Sequence, residues 1–244
     1  MFEGLEAIDW ANLTHAYGNA GDVPQMLHAV ASSDVAARQK AIDALFGSIW
    51  HQGTVYSATA PAVPFLARLA ISADVPPLDR ASIVALISEI AMGSSYVERH
   101  APTFHRMGWP LDESQLPQEL ANVDLARSAA DRAAPSVIGA LAGSDPGVDW
   151  RLAQLACSAR VDANPSVVAL LDRLRFETDN ASLQSAIDLT GEIAGGVVTQ
   201  ASLAAYSAAL DYPPQALNVD LDGQAREIGR ALYEQGFEQT GVAW

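Results

Sequence analysis

Apolar residues recur at helical spacing along most of the chain. After Ser33-Asp34, a typical N-capping pair, the segment 35–46 places one face of a helix on Ala37, Ala41, Ala44 and Leu45. Comparable amphipathic patterns cover 78–92, 148–161 and 183–194. A short two-residue alternation occurs only around 53–57, so the pattern predicts helices and no substantial sheet.

Prolines recur in a similar local setting. Pro61, Pro135 and Pro165 each begin a Pro-small-Val sequence that continues with apolar residues, and Pro24 begins a weaker version. Proline fits the first turn of a helix, where its missing N–H has no intrahelical partner, so each copy predicts a helix start. Between these copies lie helices that begin at acidic or small capping residues, such as Asp34 and Asp145. These helices recur at intervals of about 30 to 40 residues, and helix pairs at that period are typical of an α-solenoid.

Several motifs resemble those of bacterial HEAT-repeat proteins, a group that includes bilin-lyase-type short repeats. They are Asp34-x-x-x-Arg38-x-x-Ala41, the Pro-x-Val helix starts, and Asp145-Pro146 before a helix that contains Arg151. Residues 50–56 and 61–65 are similar to a segment of uncharacterised actinobacterial HEAT-like proteins. The resemblance covers most of 20–200 and implies an all-α, armadillo-type right-handed superhelix in a single domain, with about five or six helix pairs. Where the better repeats have Val before Arg, this chain has Ala37 and Trp150.

Two segments interrupt the helical pattern. Residues 93–117 have no clear helical periodicity and predict an irregular insertion. Residues 211–223 are also irregular and precede a helical pattern at 224–235. We expect residues 211–244 to form a C-terminal cap, because the last repeat of a solenoid must present a polar face to solvent.

The connection between the helices at 35–46 and 61–66 carries most of the candidate chemistry. It is rich in hydrogen-bonding and aromatic side chains, namely Trp50, His51, Gln52, Thr54 and Tyr56. His15 and Tyr17, from the end of a preceding helix, and His100 and Trp109, from the insertion, could lie beside it. Connections in a solenoid line one ridge, so we expect a binding surface here. In the alternative interpretation, the same side chains only satisfy helix ends and pack on the next repeat.

Other kinds of site have weaker support in the sequence. The five histidines lack the close spacing of zinc ligands. Asn218, Asp220, Asp222 and Gly223 resemble half of a calcium loop, but Gly229 stands where the closing Glu should be. Cys157 lies at an apolar helix position, which favours packing, and no Gly-x-Ser-x-Gly or phosphate-binding loop occurs. The sequence therefore predicts no metal and no cofactor.

Charge bears on the kind of partner. The chain has 29 acidic and 14 basic residues, a net charge of −15. The excess is spread along the chain, which disfavours nucleic acid and anionic membranes and favours a basic partner. An acidic surface also keeps a protein soluble, and this alternative explains the same charge without a partner. No apolar run reaches the roughly 18 residues of a membrane-spanning helix. The acidic start of the chain does not read as a secretory signal, so we expect a cytoplasmic protein.

Together these features predict a non-catalytic scaffold that recognises a protein partner through inter-helix connections and a concave face. One specific form of this hypothesis is an immunity or inhibitor protein that blocks a basic toxin or nuclease. The alternative is an enzyme or a small-ligand-binding protein, in which His51, Tyr56, His15, His100 and Trp109 line a pocket.

Overall fold

A computed structural model describes residues 1–211 and 220–240, without the side chains of residues 239 and 240. Helices dominate, which confirms the all-α fold class. They are α1 (Val23–Val30), α2 (Val35–Ser48), α3 (Thr59–Ile71), α4 (Pro77–Ala91), α5 (Tyr96–Met107), α6 (Leu116–Leu141), α7 (Pro146–Ser158), α8 (Pro165–Glu177), α9 (Ala181–Gly195), α10 (Gln200–Ser207) and α11 (Leu221–Thr240). Two 3-10 turns, Leu5–Ala7 and Trp10–Asn12, precede α1.

Extended structure in the described residues consists of two antiparallel hairpins of two-residue strands and one isolated bridge between Thr54 and Ser94. The hairpins are β1 (Thr14–His15) with β2 (Gly18–Asn19), and β3 (Trp50–His51) with β4 (Thr54–Val55). The second hairpin lies where the sequence alternates, in the connection between α2 and α3.

Backbone contacts divide the chain into two compact units, Met1–Ala133 and Ala134–Trp244. In the first unit, α1 packs on α2 and α3, and α4 packs on α2 and α3. The core of this unit is aliphatic and includes Leu27, Leu45, Leu66 and Ile87. The predicted single-domain solenoid stays a prediction.

A buried ion pair joins α2 to α4. The Arg38 Nε lies 2.7 Å from the Asp79 Oδ2, and both side chains are almost fully buried. Arg38 also donates to the carbonyl of Ser32. Asp34 caps α2 by accepting from the backbone N–H of Ala36, as the sequence predicts. The Asp-x-x-x-Arg motif thus starts one helix and ties it to another.

The second unit is built around α11, which packs on α7, α9 and α10. Tyr233 is fully buried on α11, and its hydroxyl lies 2.8 Å from that of Thr190 on α9. Burial raises the pKa of Tyr233 well above its usual value. Gly229 lets α11 approach Cys157, because a Cβ there would lie 2.2 Å from the Cys157 sulfur. The predicted packing role of Cys157 is confirmed, since burial also raises the pKa of its thiol to about 12.

Two sequence predictions about local structure are wrong. Pro135 does not start a helix but lies inside α6, which continues through it to Leu141. Residues 93–117 are not irregular throughout, because α5 occupies Tyr96–Met107 with Pro102 inside it. Pro165 does begin α8, and Asp145 caps α7 as predicted.

The last predicted helix is present and is longer than the pattern indicates, since α11 runs from Leu221 to Thr240. Much of the irregular stretch predicted at 211–223 lies outside the described residues, as does Asn218 of the partial calcium loop. Asp220 accepts from the backbone N–H of Gly223, and Asp222 pairs with Arg160 at 3.0 Å. Capping and ion pairing therefore account for these two carboxylates.

Candidate functional site

The β3–β4 hairpin has a tight two-residue turn. His51 pairs with Thr54, and the intervening Gln52 and Gly53 have φ of 51° and 90°. Positive φ at both central positions is typical of a type I′ turn, which matches the twist of a hairpin. A Cβ at Gly53 would lie 2.9 Å from the Nε of Arg99, so glycine also makes room for that guanidinium.

Backbone hydrogen bonds attach this hairpin to the start of α5. Ser94 donates its N–H to the carbonyl of Gly53 at 2.8 Å, and Val55 donates to the carbonyl of Ser94 at 3.1 Å. Ser95 then caps α5 by accepting from the N–H of Glu98. The hairpin and α5 therefore form one continuous surface of the first unit.

The β1–β2 hairpin lies beside the same connection. Its residue Ala16 donates to the carbonyl of Ser48, and Ala58 donates to the carbonyl of Thr14 at 3.1 Å. The N–H of Thr14 also donates to the Ser57 hydroxyl. His15 and Tyr17 thus belong to a hairpin, and the expectation that they follow a helix end is wrong.

His15 supports this hairpin from the inside. Its Nδ1 accepts from the backbone N–H of Tyr17 at 3.0 Å, so the ring proton lies on Nε2. That Nε2 is 2.9 Å from Asp22 Oδ1, and the His15 side chain is almost fully buried. Because both ring nitrogens have partners, His15 positions Tyr17 and is not available to a ligand.

The structure brings Tyr17, His51, Tyr56 and Tyr96 into one neighbourhood. The Tyr17 and His51 rings meet edge-on with centroids 5.6 Å apart. Burial raises the pKa of Tyr56 to about 12, and the carboxylate of Glu119 and the phenols of Tyr17 and Tyr96 act in the same direction. Tyr56 therefore stays protonated at neutral pH, as a hydrogen-bonding group and not as a base.

An aromatic row follows α5 away from this cluster. The rings of Tyr96 and His100 stack with centroids 4.1 Å apart, and Phe104 continues the row. At the end of the helix, Gly108 has a φ of 67° and Trp109 donates its N–H to the carbonyl of Phe104. The Trp109 and Phe104 rings then meet edge-on at 5.7 Å, the hydrophobic contact of a Schellman motif. Trp109 follows the end of α5 at Met107, which is about 17 Å from Tyr96 along the axis.

The other predicted site residues have different surroundings from one another. Trp50 packs edge-on against Phe46 of α2, with centroids 6.1 Å apart, and its buried Nε1 has no partner among the described residues. Thr54 is buried, whereas Gln52 is exposed at the hairpin turn. The His15 ring lies 6.2 Å from that of Tyr17, with both of its nitrogens engaged, and Trp109 follows the far end of α5.

Two charged residues of this surface are absent from the sequence prediction. Glu119 accepts from the backbone N–H of Val97 at 3.0 Å and so holds the start of α5 beside Tyr56. Arg99 covers the hairpin turn at Gly53. The signal that could have located α5 is Ser95-x-x-Glu98, a capping box whose two side chains do bond to each other.

Among residues 1–211 and 220–240, no group of three or more His, Cys, Asp and Glu side chains is placed to hold a metal ion. In the same described residues, no helix has the length and apolar character needed to cross a membrane.

Comparison with known proteins gives no match to this chain, whether with protein-family models, curated proteins or solved structures. The geometry of the chain's own residues must therefore carry any functional conclusion.

Proposed function

We propose that this chain is a non-catalytic recognition protein that binds a protein partner through the two hairpins and α5. The observation that carries this proposal is a group of exposed aromatic side chains on a well-anchored backbone. Tyr17 is 73% exposed, Tyr96 41% and Trp109 53%. Tyr and Trp are enriched in protein interfaces, where they bury a large area with little loss of conformational freedom.

The proposed scaffold is a HEAT-like solenoid. Support comes from the packing of successive helices, since in the first unit α1 contacts α2, α3 contacts α4, and alternate helices also contact each other. In the second unit α7, α8 and α9 repeat this arrangement. Contacts between neighbouring and alternate helices are what stacked helix pairs produce. The lone Cys157 suits the cytoplasm, which we keep as the proposed location.

The alternative, an enzyme or a small-ligand site, has less support. It needs His15, His51, Tyr56, His100 and Trp109 in one pocket, but both nitrogens of His15 are engaged and Trp109 lies far along α5. The raised pKa of Tyr56 also makes its phenol a poor general base or nucleophile at neutral pH.

The preference for a basic partner rests on the net charge of −15. A long-range acidic field speeds association with a positively charged protein, as in the immunity or inhibitor hypothesis. The surface formed by the hairpins and α5 is itself of mixed charge, with Arg99 and Arg106 beside Glu98 and Glu119. The charge of the partner's contacting segment therefore does not follow from the net charge of the whole chain.

The test is affinity capture from a lysate of the source organism. Wild type is compared with the variant Tyr17→Ala, Tyr96→Ala, in which two exposed rings are removed. Phe176→Ala is the matched control, because Phe176 is 93% exposed on α8 in the second unit and its loss removes a similar area. We expect a stoichiometric protein that wild type and the control retain and the double variant loses. A partner held equally by all three, or no partner at all, would count against the proposal.

A further inference from the structure

Helix α5 presents a long solvent-facing surface. Residues at helical spacings of three and four, namely Tyr96, Arg99, Thr103, Arg106 and Met107, are all exposed. Val97 is buried on the other side of the helix and holds it to the first unit. We call these five residues and the following Trp109 the α5 face.

The composition of the α5 face is that of a binding surface. Tyr, Trp, Met and Arg are the residue types that interfaces concentrate, and hot spots favour Trp, Tyr and Arg above all. On the α5 face, Met107 and Trp109 are each 53% exposed. One side of the Trp109 ring packs on Phe104 at the end of α5, but about half of it stays exposed beside the arginines.

Arg99 and Arg106 differ from most arginines of the first unit. Arg38 pairs with Asp79, and Arg68, Arg80 and Arg127 each donate to backbone carbonyls. Within the described part of the chain, neither Arg99 nor Arg106 has an ion pair or a side-chain hydrogen bond. Arg132 on α6 likewise has no such partner among the described residues, but Arg99 and Arg106 lie seven positions apart, and so about two turns apart on the same face of one helix.

The six residues of the α5 face carry two positive charges, and the acids that border it have partners of their own. The nearest acid on the helix, Glu98, is engaged by the Ser95 hydroxyl at 3.1 Å, and Glu119 is engaged by the N–H of Val97. Glu113 lies 3.9 Å from His105 on another side of the helix. The Arg106 guanidinium is open to solvent, and the Arg99 guanidinium packs over Gly53 without an ionic partner in the described part of the chain, so both can form bonds with carboxylates of another molecule.

We infer that the α5 face binds an acidic segment of a protein partner, with carboxylates on Arg99 and Arg106 and apolar side chains on Tyr96 and Met107. This inference rests on the proposed function and names the chemistry of the contacting segment. At physiological ionic strength the Debye length is about 8 Å, so repulsion from the distant acidic residues is screened while direct pairs are not.

The test is selection of a displayed library of random 12-residue peptides on the immobilised full chain. The first variant is Arg99→Glu, Arg106→Glu. Its matched control is Lys40→Glu, Arg132→Glu, which reverses two exposed charges on α2 and α6. Each reversal changes the charge by −2, so both variants carry −19 and share the same long-range field. Arg106→Glu alone leaves the Arg99–Gly53 contact in place, and circular dichroism establishes that every variant is folded.

We expect wild type to enrich peptides that are net acidic and contain an aromatic or aliphatic residue. A synthesised representative should bind the Arg99→Glu, Arg106→Glu variant at least tenfold more weakly than wild type, with an intermediate loss for Arg106→Glu. The Lys40→Glu, Arg132→Glu control should stay within about twofold of wild type.

Basic or uncharged peptides, acidic peptides that the Arg99→Glu, Arg106→Glu variant retains, or no enrichment over the bare matrix would overturn the inference. So would Arg99- and Arg106-dependent binding of single-stranded DNA or of phosphatidylserine vesicles in place of the peptides. In each of these cases the proposed function is judged separately, by whether the Tyr17→Ala, Tyr96→Ala variant loses the captured partner.

Discussion

Single residues of the candidate site divide into those that hold the surface and those that form it. His15, Thr54 and Trp50 are largely enclosed, and His15 uses both ring nitrogens for bonds within the protein. Tyr17 and Tyr96 are exposed and are free to meet another molecule. Tyr56 shares properties with both groups, because it is half-buried, and burial together with the Glu119 carboxylate raises its pKa.

The ionisation of Tyr56 can be measured directly. Its pKa rises from 10.0 to about 12, first because of burial and then because of the Glu119 carboxylate. We expect the absorbance at 295 nm of wild type minus that of Tyr56→Phe, followed against pH, to give one phenolate that appears near pH 12. A difference curve centred near pH 10, with the fold intact by circular dichroism, would contradict this assignment.

The raised pKa of Tyr56 also makes the stability of the fold depend on pH. The folded pKa of Tyr56 lies above its unfolded value, so its contribution to stability is complete below pH 10 and is lost as the pH rises toward about 12. The free energy of unfolding should therefore decrease less over this window in Tyr56→Phe than in wild type.

At the scale of elements, replacing Gly53 or Gly47 by alanine should change stability in opposite directions, because only Gly53 lies in the type I′ turn of the β3–β4 hairpin. Gly53→Ala places a Cβ at φ of 90° and against Arg99, and we expect it to destabilise the fold by about 1–2 kcal/mol. Gly47 lies inside α2 with open space around its added Cβ, so Gly47→Ala should stabilise by about 0.5–1 kcal/mol.

Urea unfolding monitored by circular dichroism measures both glycine variants. The two substitutions add the same methyl group only six positions apart, so a general effect of added apolar volume would move them in the same direction. Equal signs would therefore contradict the assigned turn geometry.

Helices with strong local signals were predictable, and those without them were not. Asp34 and Asp145 each cap a helix with the bonds that the sequence implies. The helix start predicted at Pro135 was wrong, because the local sequence around a proline can look the same at the start of a helix and inside a long helix such as α6. α5 was missed because Pro102 and a polar composition hide its periodicity, although the capping box at Ser95 was readable.

The central residues of the site could be predicted from the sequence, but several of the residues around them could not. The composition of the connection after α2 singled out His51 and Tyr56. The contact of Tyr17 with His51, however, depends on hydrogen bonds such as that from Thr14 to Ser57, which joins residues 43 positions apart. Glu119 and Arg99 reach the site through tertiary packing, and no local pattern in a single sequence encodes that proximity.

At the scale of the whole molecule, charge is the dominant feature that packing does not explain. Residues 1–133 carry 15 acids and 8 bases, a charge of −7, and the remaining residues carry 14 acids and 6 bases, a charge of −8. Each compact unit is therefore separately acidic. Self-repulsion of this size opposes the compact state, and dissolved salt weakens it by screening.

We accordingly expect the thermal midpoint to rise by about 2–4 °C, equivalent to about 1 kcal/mol, between 20 and 300 mM NaCl. The Lys40→Glu, Arg132→Glu variant, at −19, should begin lower and rise more steeply, because repulsion grows with the charge that salt must screen. Differential scanning calorimetry at both salt concentrations measures the two slopes. Equal slopes would mean that acidic self-repulsion has little effect on the fold, and the acidic excess would then have to be explained by solubility or by a basic partner alone.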